Sequence, residues 1–207
     1  GTATAGNSCS VSADVTATGP GSYVNVSGDL TSDLGNSGTA SDSLNATVAP
    51  TFSKSFSPAA MAAGGVSTLS FVISNTSNPV AATTLDFTDN LPAGMLVATP
   101  ANSSNGCSGT LTAAAGSGVV SLSGGSVAAG ASCTISVDVT AANTGVYLNT
   151  SGSLTSDLGD SGPASASLTV ASAPGFSMSF VPATATAGDP VTISFVVDNA
   201  ANAVAAS

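Results

Sequence analysis

The chain copies itself over a distance that only a whole domain can fill. The stretch CSVSADVTATGPGSYVNVSGDLTSDLGNSG, beginning at Cys9, returns at Cys133 as CTISVDVTAANTGVYLNTSGSLTSDLGDSG. The correspondence continues without a gap, at a constant offset of 124 residues, to Thr83 against Ser207, and more than half of its positions are identical. Solenoid turns repeat every ~20–50 residues, so this period belongs to a domain duplicated in tandem. Within 207 residues only one full period fits. Residues 1–49 are therefore expected to supply the C-terminal part of one repeat, 50–173 a complete repeat, and 174–207 the N-terminal part of the next. The expectation is of a segment cut from a longer array.

Each copy reads as strands. Val11, Ala13 and Val15 alternate with polar residues, and so do Ile135, Val137 and Val139; period-2 alternation places every second side chain on one face of a strand. Further strands are expected at Phe52–Phe56, Ser67–Ser74, Thr83–Thr88, Met95–Thr99, Thr110–Ala113, Val119–Ser123, Val146–Ser156 and Ala164–Val170. Gly64–Gly65, Leu91–Gly94, Gly124–Gly125 and Asp157–Pro163 look like the breaks between them. The short alanine-rich stretches Ala59–Ala63 and Val127–Ala131 lack an amphipathic pattern and read as loops or single turns. Strands at this spacing predict an all-β protein of tandem immunoglobulin-like antiparallel β-sandwiches, a barrel being the weaker alternative. Short, proline-containing links at Val48–Thr51 and Ser172–Gly175 should couple neighbouring domains stiffly.

Composition narrows the chemistry. Histidine, tryptophan, arginine, glutamate and glutamine are absent, Lys54 is the single basic side chain, and the eleven acids are all aspartates, for a net charge of −10. No Ser–His–Asp or Cys–His pairing can be assembled, and zinc would find no imidazole. A hydrolase using two aspartates is a remote reading; no catalytic residue and no cofactor is expected. One lysine against eleven aspartates repels phosphate, which argues against nucleic acid and anionic lipid as partners. No apolar run reaches the ~18–20 residues of a membrane span. Yet 43% of residues are hydrophobic, which separates this low-charge chain from disordered ones.

The repeat explains three cysteines. Cys133 corresponds to Cys9, whereas the counterpart of Cys107 would precede Gly1. Cys107 and Cys133 are thus the expected disulfide of the complete repeat, in an oxidising compartment, the alternative being two buried thiols. Four other features have a plain structural reading beside a functional one. Asp86, Asp89, Asn90 and Pro92 suit either a ligand site or the chemistry of a tight turn, and the turn is favoured. The Asp157/Asp160 loop could offer oxygens to calcium, but position 160 is Asn36 in the other copy, so a solvated hairpin loop is preferred and no metal site is assigned. Tyr23 and Tyr147 are better read as strand-anchoring tyrosines than as sugar platforms. Lys54 could supply the amine of a Lys–Asn isopeptide, but its counterpart Met178 shows that the repeat does not require one.

The order of blocks is informative in itself. FSKSFSPA, GGVSTLSF, FTDNLPAGM, CSGTLTAAAGS, GASCTISVDV and GVYLNT follow one another through residues 50–173. Together they resemble a bacterial conserved-repeat domain, the group called domain of unknown function eleven and its relatives. That resemblance implies an immunoglobulin-like fold, tandem arrays, and large secreted or surface-anchored bacterial proteins, with no enzymatic activity. The function expected is that of a structural repeat in an extracellular stalk or fibre, whose partners are neighbouring copies of the same repeat, with self-assembly into fibres as a further option. The alternative is an adhesin-type module gripping a sugar, a protein or a calcium-bridged partner through its loops.

Overall fold

The computed structural model describes residues 1–202 and 205, and every regular element among them is a strand. The first segment holds β1 (Gly21–Val26), β2 (Thr31–Ser32), β3 (Gly35–Asn36) and β4 (Ser41–Ala46). The middle segment runs through β5 (Thr51–Ser57), β6 (Ala60–Ala62), β7 (Val66–Ser74), β8 (Ala82–Asn90), β9 (Met95–Val97) and β10 (Ser104–Asn105). It continues with β11 (Thr110–Thr112), β12 (Val119–Val127), β13 (Ser132–Ala141), β14 (Gly145–Ser156) and β15 (Gly159–Ala171). The last segment holds β16 (Gly175–Val181) and β17 (Thr192–Asp198). The protein is all-β, and its middle segment forms the two-sheet sandwich expected of an immunoglobulin-like repeat.

Two sheets face each other in the middle segment. One runs β10-β13-β7-β5, with β9 also paired to β13; the other runs β11-β12-β8-β14-β15-β6. All pairs are antiparallel except β6 with β15. Alternation does the sorting: Leu69, Phe71 and Ile73 of β7 and Ile135, Val137 and Val139 of β13 are fully buried. Their polar neighbours on the same strands point the other way. Leu85 and Phe87 of β8, Leu122 of β12, Leu154 of β14 and Leu168 of β15 close the core from the opposite sheet. Phe52, Phe71 and Phe87 form an aromatic cluster with ring centroids 4.8–6.0 Å apart, within the range where tilted and offset rings attract.

Four sequence expectations are corrected. Residues 9–17 alternate like β13, yet they are not in a strand. β13 takes its ladder from β7, and no described strand plays that part for residues 9–17. Gly124–Gly125 does not end a strand; β12 runs through it, absorbing the glycines in a shift of register against β8. The supposed loop 157–163 shrinks to a two-residue turn, Asp157–Leu158, because β15 already begins at Gly159. Ala60–Ala62, read as loop, is the parallel edge strand β6.

The end segments keep the local form of their counterparts without the cover. β1 with β4 reproduces the hairpin β14–β15, and β16 with β17 reproduces β5–β7. Phe176 and Phe195 stack at 6.1 Å, as Phe52 and Phe71 do at 6.0 Å. Phe71 is wholly buried, whereas Phe195 is 59% exposed. Strand pairing thus survives where the second sheet is not packed against it.

Candidate functional site

Three polar side chains from three strands meet inside the sandwich core. Phe52, Lys54 and Phe56 occupy one face of β5 by simple alternation, and that face points inward. Lys54 lies opposite Phe71 in the ladder, its ammonium 5.3 Å from the Phe71 ring centroid. Across the sandwich, the carboxylate of Asp89 on β8 accepts from Lys54 Nζ at 2.8 Å, with both side chains wholly shielded from solvent. Its other oxygen accepts from Asn149 Nδ2 of β14 at 2.9 Å. Asn149 is itself 0% exposed, and its Oδ1 has no hydrogen-bond partner. Burial pushes the Lys54 amine below its ordinary value, while the hydrogen bond and charge of Asp89 pull in the opposite direction.

This arrangement corrects the turn reading of Asp86, Asp89 and Asn90, which all lie within β8; only Leu91–Gly94 turns the chain. Asp86 points outward and accepts from the Gly124 N–H at 3.0 Å. The signal for the buried group was in the sequence: in F-S-K-S-F the lysine shares its face with two phenylalanines. What no linear pattern shows is that β8 and β14 bring an acid and an amide to that same point.

The other singled-out residues are held by backbone. Tyr147 donates to the Asn143 carbonyl at 2.9 Å, and Tyr23 to that of Gly19 at 3.0 Å. Asp157 accepts from the N–H and the hydroxyl of Thr83, at 2.6 and 2.8 Å. Those bonds, led by the backbone one, hold its carboxyl below the usual range. Asp160 accepts from the Gly162 N–H at 2.7 Å. Among the described residues, no three acids, histidines or cysteines are grouped as metal ligands. A surface depression of about 430 Å³ beside β1 and β4 is lined by a single carboxylate, Asp42. No described helix is long and apolar enough to cross a membrane. Cys107 and Cys133 form a disulfide that ties the segment between β10 and β11 to β13; Cys9 is free and exposed.

A second polar cluster binds the backbone just ahead of β5. The side-chain amide of Asn78 accepts from the N–H of Val48 and donates to its carbonyl, both at 2.9 Å. Asn78 also donates to Asn75 Oδ1 at 2.6 Å, and Asn75 donates to the carbonyls of Val80 and Ala128. The contacts of Asn78 recur at an offset of 124. Asn202 binds the N–H and carbonyl of Ser172 at 2.6 and 2.8 Å, and Asn199 Oδ1 at 2.6 Å. One asparagine thus gives a linker residue the two bonds that a strand neighbour would give.

Residues 1–46 and 50–170 match the family described as a domain of unknown function (DUF7933). The chain belongs to that family. The DUF7933 match falls in two stretches that meet at residues 47–49, beside the Asn78-bound Val48. It is a different domain of unknown function from the one that the motif order resembles. No curated protein matches the chain. Among solved structures, the DUF7933 chain is similar to a variant of BcpA, the major pilin subunit of Bacillus cereus, at 10% identity and a TM-score of 0.38. The likeness covers 84% of this chain and 61% of that one, so the chain spans less than two thirds of the pilin's length.

Proposed function

We propose that this chain is a non-catalytic structural repeat of a longer extracellular protein, forming part of a stalk or fibre at or beyond a bacterial cell surface. The observation that carries the reading is the duplicated asparagine clamp. What the repeat reproduces hydrogen bond for hydrogen bond is the apparatus that seats a linker on the domain that follows it. A linker tied at both its N–H and its carbonyl has lost the backbone freedom that would let domains swing. Tandem sandwiches joined in this way turn domain number into length. Low charge limits repulsion between rods lying side by side, and a single lysine leaves trypsin-like proteases one target.

Against the adhesin alternative, Asp157 and Asp160 are engaged with Thr83 and Gly162, and Tyr23 and Tyr147 with backbone carbonyls. Electron microscopy of the native material tests the proposal. Stiff filaments with a bead repeating at the spacing of one domain are expected. Separate globules, or strings bending freely at every joint, would overturn it.

A further inference from the structure

We propose that Lys54 and Asn149 are the two halves of an intramolecular isopeptide bond, with Asp89 as the proton carrier that forms it. The argument starts from an anomaly. Lys54, Asp89 and Asn149 bring an amine, a carboxyl and a carboxamide together inside a largely apolar core. As a stability device this is a poor choice, because a buried ion pair must first overcome its own desolvation. The following copy places Met178 at the lysine position, so an apolar residue suits that strand. The amide carbonyl of Asn149 is also left without a donor while fully buried, a state that native cores avoid.

As a reaction centre the same features make sense. The amine and the carboxamide hang from the two oxygens of one carboxylate, at 2.8 and 2.9 Å, which holds nucleophile and electrophile side by side and removes the entropy of encounter. Burial of both charged groups away from water disfavours an ion pair, so the proton passes from Lys54 Nζ to the Asp89 carboxylate, leaving a neutral amine and a neutral acid. The Nζ lone pair then attacks Cγ of Asn149, and the Asp89 acid passes its proton to Nδ2, the atom it already contacts. The Nζ–Cγ bond forms and the Cγ–Nδ2 bond breaks. The leaving nitrogen departs with that proton as ammonia, while the second proton of Nζ passes to Asp89 and stays there until it exchanges with solvent. No oxidant or cofactor is consumed.

The bond would join β5 to β14, enclosing everything from residue 55 to 148. Load entering the domain at β5 would pass to β14 without drawing on the strands between. In the next copy Met178 cannot react, so the device belongs to particular repeats and not to all.

The composition makes the test unusually clean, because Lys54 is the chain's single Lys or Arg. The 207-residue chain is purified, reduced, denatured and digested with trypsin, and its intact mass is measured in parallel. The expected protein is lighter than its sequence by one ammonia, and trypsin leaves it whole, since an acylated lysine is not cleaved. Asn149→Ala and Lys54→Met should each show the full sequence mass, and Asn149→Ala should be cut into residues 1–54 and 55–207. Full mass with cleavage after Lys54 in the unaltered chain overturns the proposal, as does ammonia loss that persists in Asn149→Ala. These readouts are taken on denatured protein, so they hold even if Asp89→Ala, expected to be cut as well, fails to fold.

Discussion

Lys54 and Asp89 show how one pair of residues can be indispensable to each other without favouring the fold. An ammonium left buried without its carboxylate costs far more than the pair contributes. Asp89→Ala should therefore be less stable than Lys54→Met/Asp89→Ala by about 3–5 kcal/mol, measured by urea unfolding; equal stabilities would mean that water reaches the amine. Asp157 is the opposite case, an exposed carboxylate with a short local task. Its folded value lies below the ordinary 3.8, so its contribution is complete above that pH and is lost as the pH falls through the lowered value. Unfolding followed from pH 5 to pH 2 should show Asp157→Asn losing less stability than the parent over that window. Indistinguishable curves would remove any role for the Thr83 bonds.

At the scale of elements, the doubtful places in the sequence were the glycines. Gly124 and Gly125 carry the turn propensity that usually ends a strand, yet β12 continues past them because β8 offers a ladder on both sides of the shift. The close packing around that shift explains Gly109, which approaches it with φ of 68°. A Cβ at Gly109 would lie 2.5 Å from the Ser123 carbonyl oxygen and 2.6 Å from the Gly125 nitrogen, too close for any rearrangement short of moving backbone. Gly109→Ala should cost roughly 1–3 kcal/mol through strain and overpacking, with a lowered melting temperature. Gly116→Ala shares the positive φ but has no atom near its Cβ, so it should cost less.

For the whole molecule, the decisive contacts are those between linker and domain. Asn78→Ala deletes two hydrogen bonds to Val48 and one to Asn75, each worth about 1 kcal/mol. Its larger effect should be geometric. Spin labels placed on β4 and β7 are expected to report a narrow distance distribution in the parent chain and a broad one in Asn78→Ala. Equal widths would show that proline and chain length alone keep the joint stiff. Asn202→Ala should have the corresponding effect at the second joint.

Some of this was determined in one dimension. The duplication of the sequence and the inward faces of β7 and β13 follow from an offset of 124 and from period-2 alternation, both readable along the chain. The pairing of Cys107 with Cys133 could be expected because the repeat accounts for Cys9. Strand formation by residues 9–17, in contrast, could not be judged from their alternation, since a strand exists only through a neighbour that completes its hydrogen bonds. The same holds for Lys54, Asp89 and Asn149. Their contact joins positions far apart along the chain through the packing of two sheets. Periodicity can say which face each residue occupies, but only the closed sandwich decides which residues meet.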